Sequence, residues 1–228
     1  MNNLQVNQGA SGALDTKSPV TGDAVMKFHD EILSGQTDPQ APHFSVGSIW
    51  YWIQANHQNN HQLWNEEDLA RRTTVGAEEI AANKRAIDRF NQARNDATER
   101  VDELLLVMLG WVNEESARSD APMVWVPAGA RLHSETIGSM IDRLSILALK
   151  IFAMRAQTQR TDVEQAHIQS SQVKLDKLSQ QRQDLAQCLD NLLTEARSGK
   201  AYFKIYRQFK MYNDPRWNPV LVAEQKSR

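Results

Sequence analysis

The sequence predicts an all-α protein: an up-and-down bundle of four long helices, with a short N-terminal helix and an aromatic-basic C-terminal arm. Apolar residues recur at steps of three and four through most of the chain. The 10 glycines and 7 prolines cluster between those periodic stretches, and the stretches are too long for strands. At 228 residues the chain can bury one substantial core. Residues 21–228 therefore read as a single domain behind a disordered tail of residues 1–20.

The tail, from Met1 to Pro19, is rich in Asn, Gln, Gly and Ser and lacks the apolar stretch of a signal peptide. Asp23 to Ser34 reads as the short helix, stopped by Gly35. Pro39 and Pro42 mark Gln36 to Phe44 as a linker. Ser45 is placed to cap the next helix, which runs to about Thr73 with Gly76 beyond it. A further helix spans about Ala77 to Leu109 and stops at Gly110. Residues 111–133, from Trp111 to His133, hold Pro122, Pro127 and Gly129 and form an irregular insertion, a length of connection that is often functional. Ser134 opens a helix to about Gln157, and the last long helix covers about Asp162 to Arg197 before Gly199.

In the arm, residues 200–228, Phe203, Ile205, Phe209 and Met211 share one parity. Tyr202, Lys204, Tyr206, Lys210 and Tyr212 share the other. That alternation favours an extended arm over a helix with Tyr202, Ile205, Phe209 and Tyr212 on one face. The Asp214-Pro215 and Asn218-Pro219 pairs end it in turns.

Charge nearly cancels, with 26 Lys and Arg against 28 Asp and Glu, which gives no electrostatic case for nucleic acid. The longest apolar run, Leu144 to Met154, is too short for a bilayer and carries Lys150. A single cysteine, Cys188, excludes an internal disulfide and a cysteine metal cluster, and it fits a reducing cytoplasm. No glycine-rich phosphate loop is present. A cytoplasmic protein without a membrane span is expected.

Function is read from the helix seams. In the second helix the seam Val46, Trp50, Ile53, His57, Asn60, Trp64, Glu67, Arg71 begins apolar and turns polar. In the third, Ile80, Lys84, Ile87, Asn91, Arg94, Thr98, Val101, Leu105, Met108 does the reverse. Joined by a short loop the two helices lie antiparallel, so their polar halves meet at one end. Ionised groups on an inward stripe need partners, because desolvating them costs several kcal/mol. The fourth helix is apolar nearly all round and therefore central, and Lys150 on it is expected to approach the polar end. Arg182 interrupts the fifth seam near the middle.

The polar end thus collects His57, Asn60, His61, Trp64, Glu67, Asp68, Arg71 and Arg72 with Lys84, Asp88, Asn91, Arg94 and Lys150. Guanidinium and ammonium groups in such a place suit a phosphate or carboxylate. Asp68, His61 and Glu67 are the acid-base candidates, and Trp64 can stack on a ring. His57, His61 and Asp68 share a stripe whose spacing can chelate a metal, though the flanking residues match no metal motif. A blander reading also holds: Glu66-Glu67-Asp68 with Arg71 and Arg72 as a solvated run of paired charges. Ser145 and Cys188 read as core residues, and His29, His43, His133 and His167 as isolated surface histidines. Asp142 and Arg143 fall near the opposite end.

Five segments carry a family resemblance. They are Leu63-Trp64-Asn65-Glu66-Glu67-Asp68-Leu69-Ala70-Arg71, Ile87-Asp88-Arg89-Phe90-Asn91-Gln92-Ala93-Arg94-Asn95-Asp96, Ile141-Asp142-Arg143-Leu144-Ser145-Ile146-Leu147-Ala148-Leu149-Lys150, Gln181-Arg182-Gln183-Asp184-Leu185 and Lys210-Met211-Tyr212-Asn213-Asp214-Pro215. Across Asn56 to Leu221 the chain resembles the bacterial family named domain of unknown function 4254. The resemblance implies an all-helical bacterial protein and an association with envelope polysaccharide assembly, and it transfers no reaction or catalytic residues. The expectation is a bundle that binds, and in the fuller version transforms, an anionic small molecule such as a phosphorylated sugar. The rival expectation is an accessory protein that docks on an envelope glycan enzyme, its polar seam serving only to fix helix register.

Overall fold

Helix boundaries follow from side-chain caps. In the computed structural model, residues 18–36, 44–208 and 214–227 are described. Thr21 caps α1 (Gly22–Leu33), accepting from the Ala24 N–H. Ser48, not Ser45, caps α2 (Ile49–Leu69) by accepting from the Trp50 N–H. Val46 and Gly47 form a turn between the two serines, which leaves Val46 exposed and off the helical seam. α2 also ends short of Thr73, where Arg72 Nε donates to the Leu69 carbonyl at 2.9 Å. α3 (Ala77–Met108) is followed by Gly110 at φ 71°, the left-handed turn that suits glycine.

The insertion contains a single turn, α4 (Glu114–Ala117), and a short strand, β1 (Arg131–Leu132). α5 (Ile137–Thr158) begins at a capping box in which the Thr136 side chain and Ser139 exchange bonds with each other's backbone. α6 (Gln165–Arg197) stops before Gly199, and β2 (Ala201–Tyr202) follows. β1 and β2 pair in parallel with Arg131 opposite Ala201 and Leu132 opposite Tyr202, tying the insertion to the arm. Beyond β2 the predicted alternation holds as far as it can be followed: Phe203 and Ile205 are buried and Tyr206 is exposed. Phe209, Lys210, Met211 and Tyr212 lie outside the described residues, as do His43, Pro39 and Pro42 of the linker.

The chain then forms α7 (Pro219–Lys226), which the sequence reading replaced with a turn. Asn218 accepts from the Val220 and Leu221 N–H groups, so Asn-Pro here is the cap and first residue of a helix rather than a turn. The tail also differs from expectation at its end. Val20 is buried, and the Ser18 carbonyl accepts from the Trp50 indole at 2.9 Å.

The protein is an all-α bundle built from two helical hairpins, α2–α3 and α5–α6, with α5 at its centre. α5 packs against α1, α2, α3 and α6, while α6 packs against α5 and α1. The apolar core gathers at one end, from the first turns of α2 and α5 and the last turns of α3 and α6. Phe28 of α1 closes it, its ring edge-on to Trp50 and Phe44. Burying such side chains stabilises by roughly 1.5–3 kcal/mol each. Arg182 is buried as a central interruption of α6, donating to Asp30 at 2.8 Å and to the Met26 carbonyl at 2.9 Å.

Two further polar contacts fix the arm and the α3–α5 contact. Arg207 donates to Glu99, Glu103 and the carbonyls of Ala117 and Ser119. Burial works against its charge, but the bonds to Glu99 and Glu103 hold its pKa above the ordinary arginine value. Buried Asp102 accepts from the Gly138 N–H at 2.7 Å. Burial pushes its carboxyl up to about 7.

At Gly138 the backbones of α3 and α5 are so close that a Cβ would overlap the Thr98 carbonyl oxygen. Gly138→Ala should therefore lower stability by about 1–3 kcal/mol, read as a fall in melting temperature. The control Gly47→Ala, at a position with open space around it, should leave the melting temperature within about 1 °C.

Candidate functional site

Past the core the two hairpins part, and an open cleft of about 630 Å³ lies between them. α2 contributes Asn60, Leu63, Trp64, Glu67 and Asp68, and the turn after it contributes Arg71. α3 contributes Lys84, Ile87, Asp88, Asn91 and Arg94, and α5 contributes Ile146 and Leu149. These are steps of three and four along each helix, so one stripe per helix faces the opening. The polar halves of α2 and α3 thus lie at the same end, and nine of the sequence-predicted site residues line this one cleft.

Charges within it are balanced. Glu67 binds Arg71 at 2.7 Å and Asp88 binds Lys84 at 2.9 Å, each pair four residues apart and exposed, the first reaching from α2 into the turn after it. Arg94 is less exposed and stands 3.7 Å from Asp142, with Nη2 donating to Asn95 at 3.2 Å. Its Nε–H has no hydrogen-bond partner among the described residues. Asp68 likewise has no ion-pair partner among them.

Four predicted residues fall elsewhere. His57 is fully buried, because the seam it shares with Trp50 and Ile53 faces α5 at that level rather than the cleft. Its Nδ1 lies 2.7 Å from Ser145 Oγ. His61 is half-buried at the margin of the stripe, about 100° round α2 from Asn60, and burial lowers its pKa. Arg72 turns away, donating to Leu69 and Asn83 and approaching Glu79. Lys150 is exposed and lines a different cleft, because it points off α5 on the α6 side.

Asp142 is the residue missed. It is not paired only with its neighbours but sits behind the cleft as a hub. Its Oδ1 accepts from Asn56 at 2.8 Å and from Asn60 at 2.9 Å, while Oδ2 faces Arg94. Asn60 also donates to Ser145 Oγ at 3.1 Å, and Asn56 to Thr98 Oγ1 at 3.1 Å. The signal that could have found this hub is the pair Asn56 and Asn60, one turn apart on α2 and opposite an acid on the central helix.

His29 is a second correction. It is fully buried and its ring stacks on His57 with centroids 4.4 Å apart. Neither of its ring nitrogens has a partner among the described residues, nor does His57 Nε2. Burial lowers both pKa values, His57 to about 3; His57 and Arg182 add to the effect at His29, and His61 and Arg182 add to it at His57. Cys188, read as core, is exposed. No group of three or more His, Cys, Asp or Glu among the described residues is arranged to hold a metal ion. None of the described helices is long and apolar enough to cross a membrane.

Fold and site together define an all-α bundle with a polar cleft open between two helical hairpins. The chain belongs to the family described as Protein of unknown function (DUF4254), whose profile matches residues 50–205. That span runs from α2 to the arm and includes the whole cleft; α1, α7 and the Lys210 to Pro215 segment lie outside it. Comparison with curated proteins and with solved structures finds no match.

Two outcomes follow from the buried groups. Asp142→Ala strips the acceptor from two amides and the partner from Arg94, and should cost about 2–4 kcal/mol in denaturant unfolding. An unchanged midpoint would remove Asp142 from this role. The histidine stack gives a pH effect. Unfolded histidines take up protons below about pH 6.5 whereas the folded ones stay neutral, so their contribution is complete above that pH and is lost towards His57's folded value of about 3. Asp102 acts in the opposite direction over part of this range, and comparison of variant with wild type cancels it. His29→Phe should therefore lose less melting temperature than wild type between about pH 7.5 and about pH 5.

Proposed function

We propose that the cleft binds a phosphorylated sugar or a similar anionic metabolite. One observation carries the reading: Arg71 of the turn that ends α2, with Lys84 and Arg94 of α3, lines a single cleft floored by Ile87, Ile146 and Leu149. The carboxylates that neutralise Arg71 and Lys84 do not block it. Exposed pairs four apart on a helix are worth about 0.3–0.5 kcal/mol, and a phosphate offering charge-assisted bonds to several cations displaces them readily. Asn60, Asn91 and Asp68 offer hydrogen bonds suited to hydroxyl groups, and Trp64 offers a face for a sugar ring. Asp68 is the carboxylate placed to hold a ligand hydroxyl or exchange a proton with it. His61, at the stripe's margin, is set aside as its partner. A ligand of this class is in keeping with the link to envelope polysaccharide assembly that the family resemblance implies. Docking on a glycan enzyme as an accessory protein would require no cleft of this kind.

Thermal unfolding with glucose 1-phosphate, inorganic phosphate and glucose tests the reading. At about 100 times its Kd a ligand stabilises by about 2.7 kcal/mol, a rise of roughly 5–10 °C for a chain of this size. Glucose 1-phosphate should produce such a rise. Arg71→Ala and Lys84→Ala, both at exposed positions that leave the fold intact, should reduce it by more than half. Absence of any shift with phosphorylated sugars or phosphate would defeat the proposal.

A further inference from the structure

Ile146 lines the cleft between the hairpins and also lines a second cleft, of about 700 Å³, on the α6 side of α5. The two openings are therefore neighbours, separated by one ridge of the central helix. Leu149 faces the first and Lys150 the second. Leu147 and Leu185 give the second cleft apolar walls, and Arg143, Lys150, Gln181 and the carboxylates of Glu135 and Asp184 give it polar ones. Arg143 is engaged by Glu135 at 2.5 Å. The Lys150 ammonium has no ion-pair partner among the described residues.

We propose that the second cleft is a subsite of the first, and that together they take an extended phosphorylated metabolite of the nucleoside diphosphate sugar class. The proposal rests on the phosphosugar reading of the first cleft and narrows it. A helix with its side chains is about 10–12 Å across, so a single sugar phosphate cannot occupy both sides of the ridge. A molecule with two ring groups joined by a diphosphate can. The apolar ridge at Ile146 offers no grip on a linker, but cations stand to either side of it, Arg94 in the first cleft and Lys150 in the second. Apolar walls with a polar rim suit a ring carrying hydroxyl or amide groups.

Cys188, the chain's single cysteine, is exposed and lines the second cleft, which makes it a reporter of occupancy. The full chain is labelled with a maleimide in the presence of glucose 1-phosphate, or of UDP-, GDP-, dTDP- or CMP-linked sugars, alongside thermal unfolding with the same compounds. At least one nucleotide sugar should slow labelling by about tenfold, while glucose 1-phosphate should leave the rate unchanged although it raises the melting temperature. Lys150→Ala should weaken that nucleotide sugar by about tenfold, the effect of losing one charge-assisted contact, and leave glucose 1-phosphate binding as it was. If glucose 1-phosphate stabilises the protein but no nucleotide sugar slows labelling, the subsite is refuted and the phosphosugar reading stands. If glucose 1-phosphate itself protects Cys188, the division into two subsites is wrong. Should no compound stabilise the protein, both readings fall.

Discussion

Everything around the cleft depends on one mostly buried carboxylate, Asp142, and on the amides that satisfy it. A carboxylate taken out of water among apolar helices is costly unless its oxygens are met. Here Asn56 and Asn60 of α2 meet one oxygen and Arg94 of α3 faces the other. Three helices are thereby held at one level, and slipping α2 by a single residue would turn both amides away. The chain of contacts continues through Ser145 to His57 and ends in the stack on His29. The boundary between core and cleft lies along this network: above it side chains are apolar and closely packed, below it the hairpins separate.

The central position of α5 explains why there are clefts at all. A helix apolar nearly all round can bury its first turns against four neighbours, but only while those neighbours are present. Towards its C-terminus the α2–α3 hairpin becomes polar and solvated, and α6 exposes most of its residues. Ile146, Leu147 and Leu149 then have helices on two sides and openings between them. The apolar floor of each cleft is thus the continuation of the core stripe beyond the point where the bundle is full.

This division was partly legible in the sequence. Opposite polarity gradients along α2 and α3, read with a short connecting loop, located the polar end and nine of the residues lining it. The gradient gave the level along the helix but not the rotation about it. His57 sits on the same seam as Trp64 yet faces Ser145, and His61 lies at the stripe's margin; a periodicity of 3.6 drifts enough over four turns to move a residue from core to cleft. Long-range partners were less legible still. Nothing local distinguishes Asp142 from Arg143 beside it, since what selects Asp142 as the hub is the pair of amides 82 and 86 residues away in sequence. His29 was misread for the same reason: its burial is set by α5 and α6 packing onto α1 and by the His57 ring of α2, and a lone histidine on a short helix shows none of these. Boundaries failed by two or three residues where two candidate caps lie close together, as with Ser45 and Ser48 or Ser134 and Thr136, because competing caps differ by only about 1 kcal/mol.

Two kinds of charge are kept apart in this structure, and the separation bears on how a site can be carried without weakening the fold. Asp142, Arg94 and Arg182 are largely withdrawn from water and committed to fixed partners, so removing one leaves another uncompensated. Arg71 pairs with Glu67 and Lys84 with Asp88 four residues away on an exposed surface, where the pairing contributes little. The ligand proposed for the cleft would recruit the second set without disturbing the first. Arg94 belongs to both, since it lines the cleft while facing Asp142, and with Asn60, which lines the cleft and donates to Asp142, it is where a ligand of the proposed kind would be felt by the network that holds the helices in register.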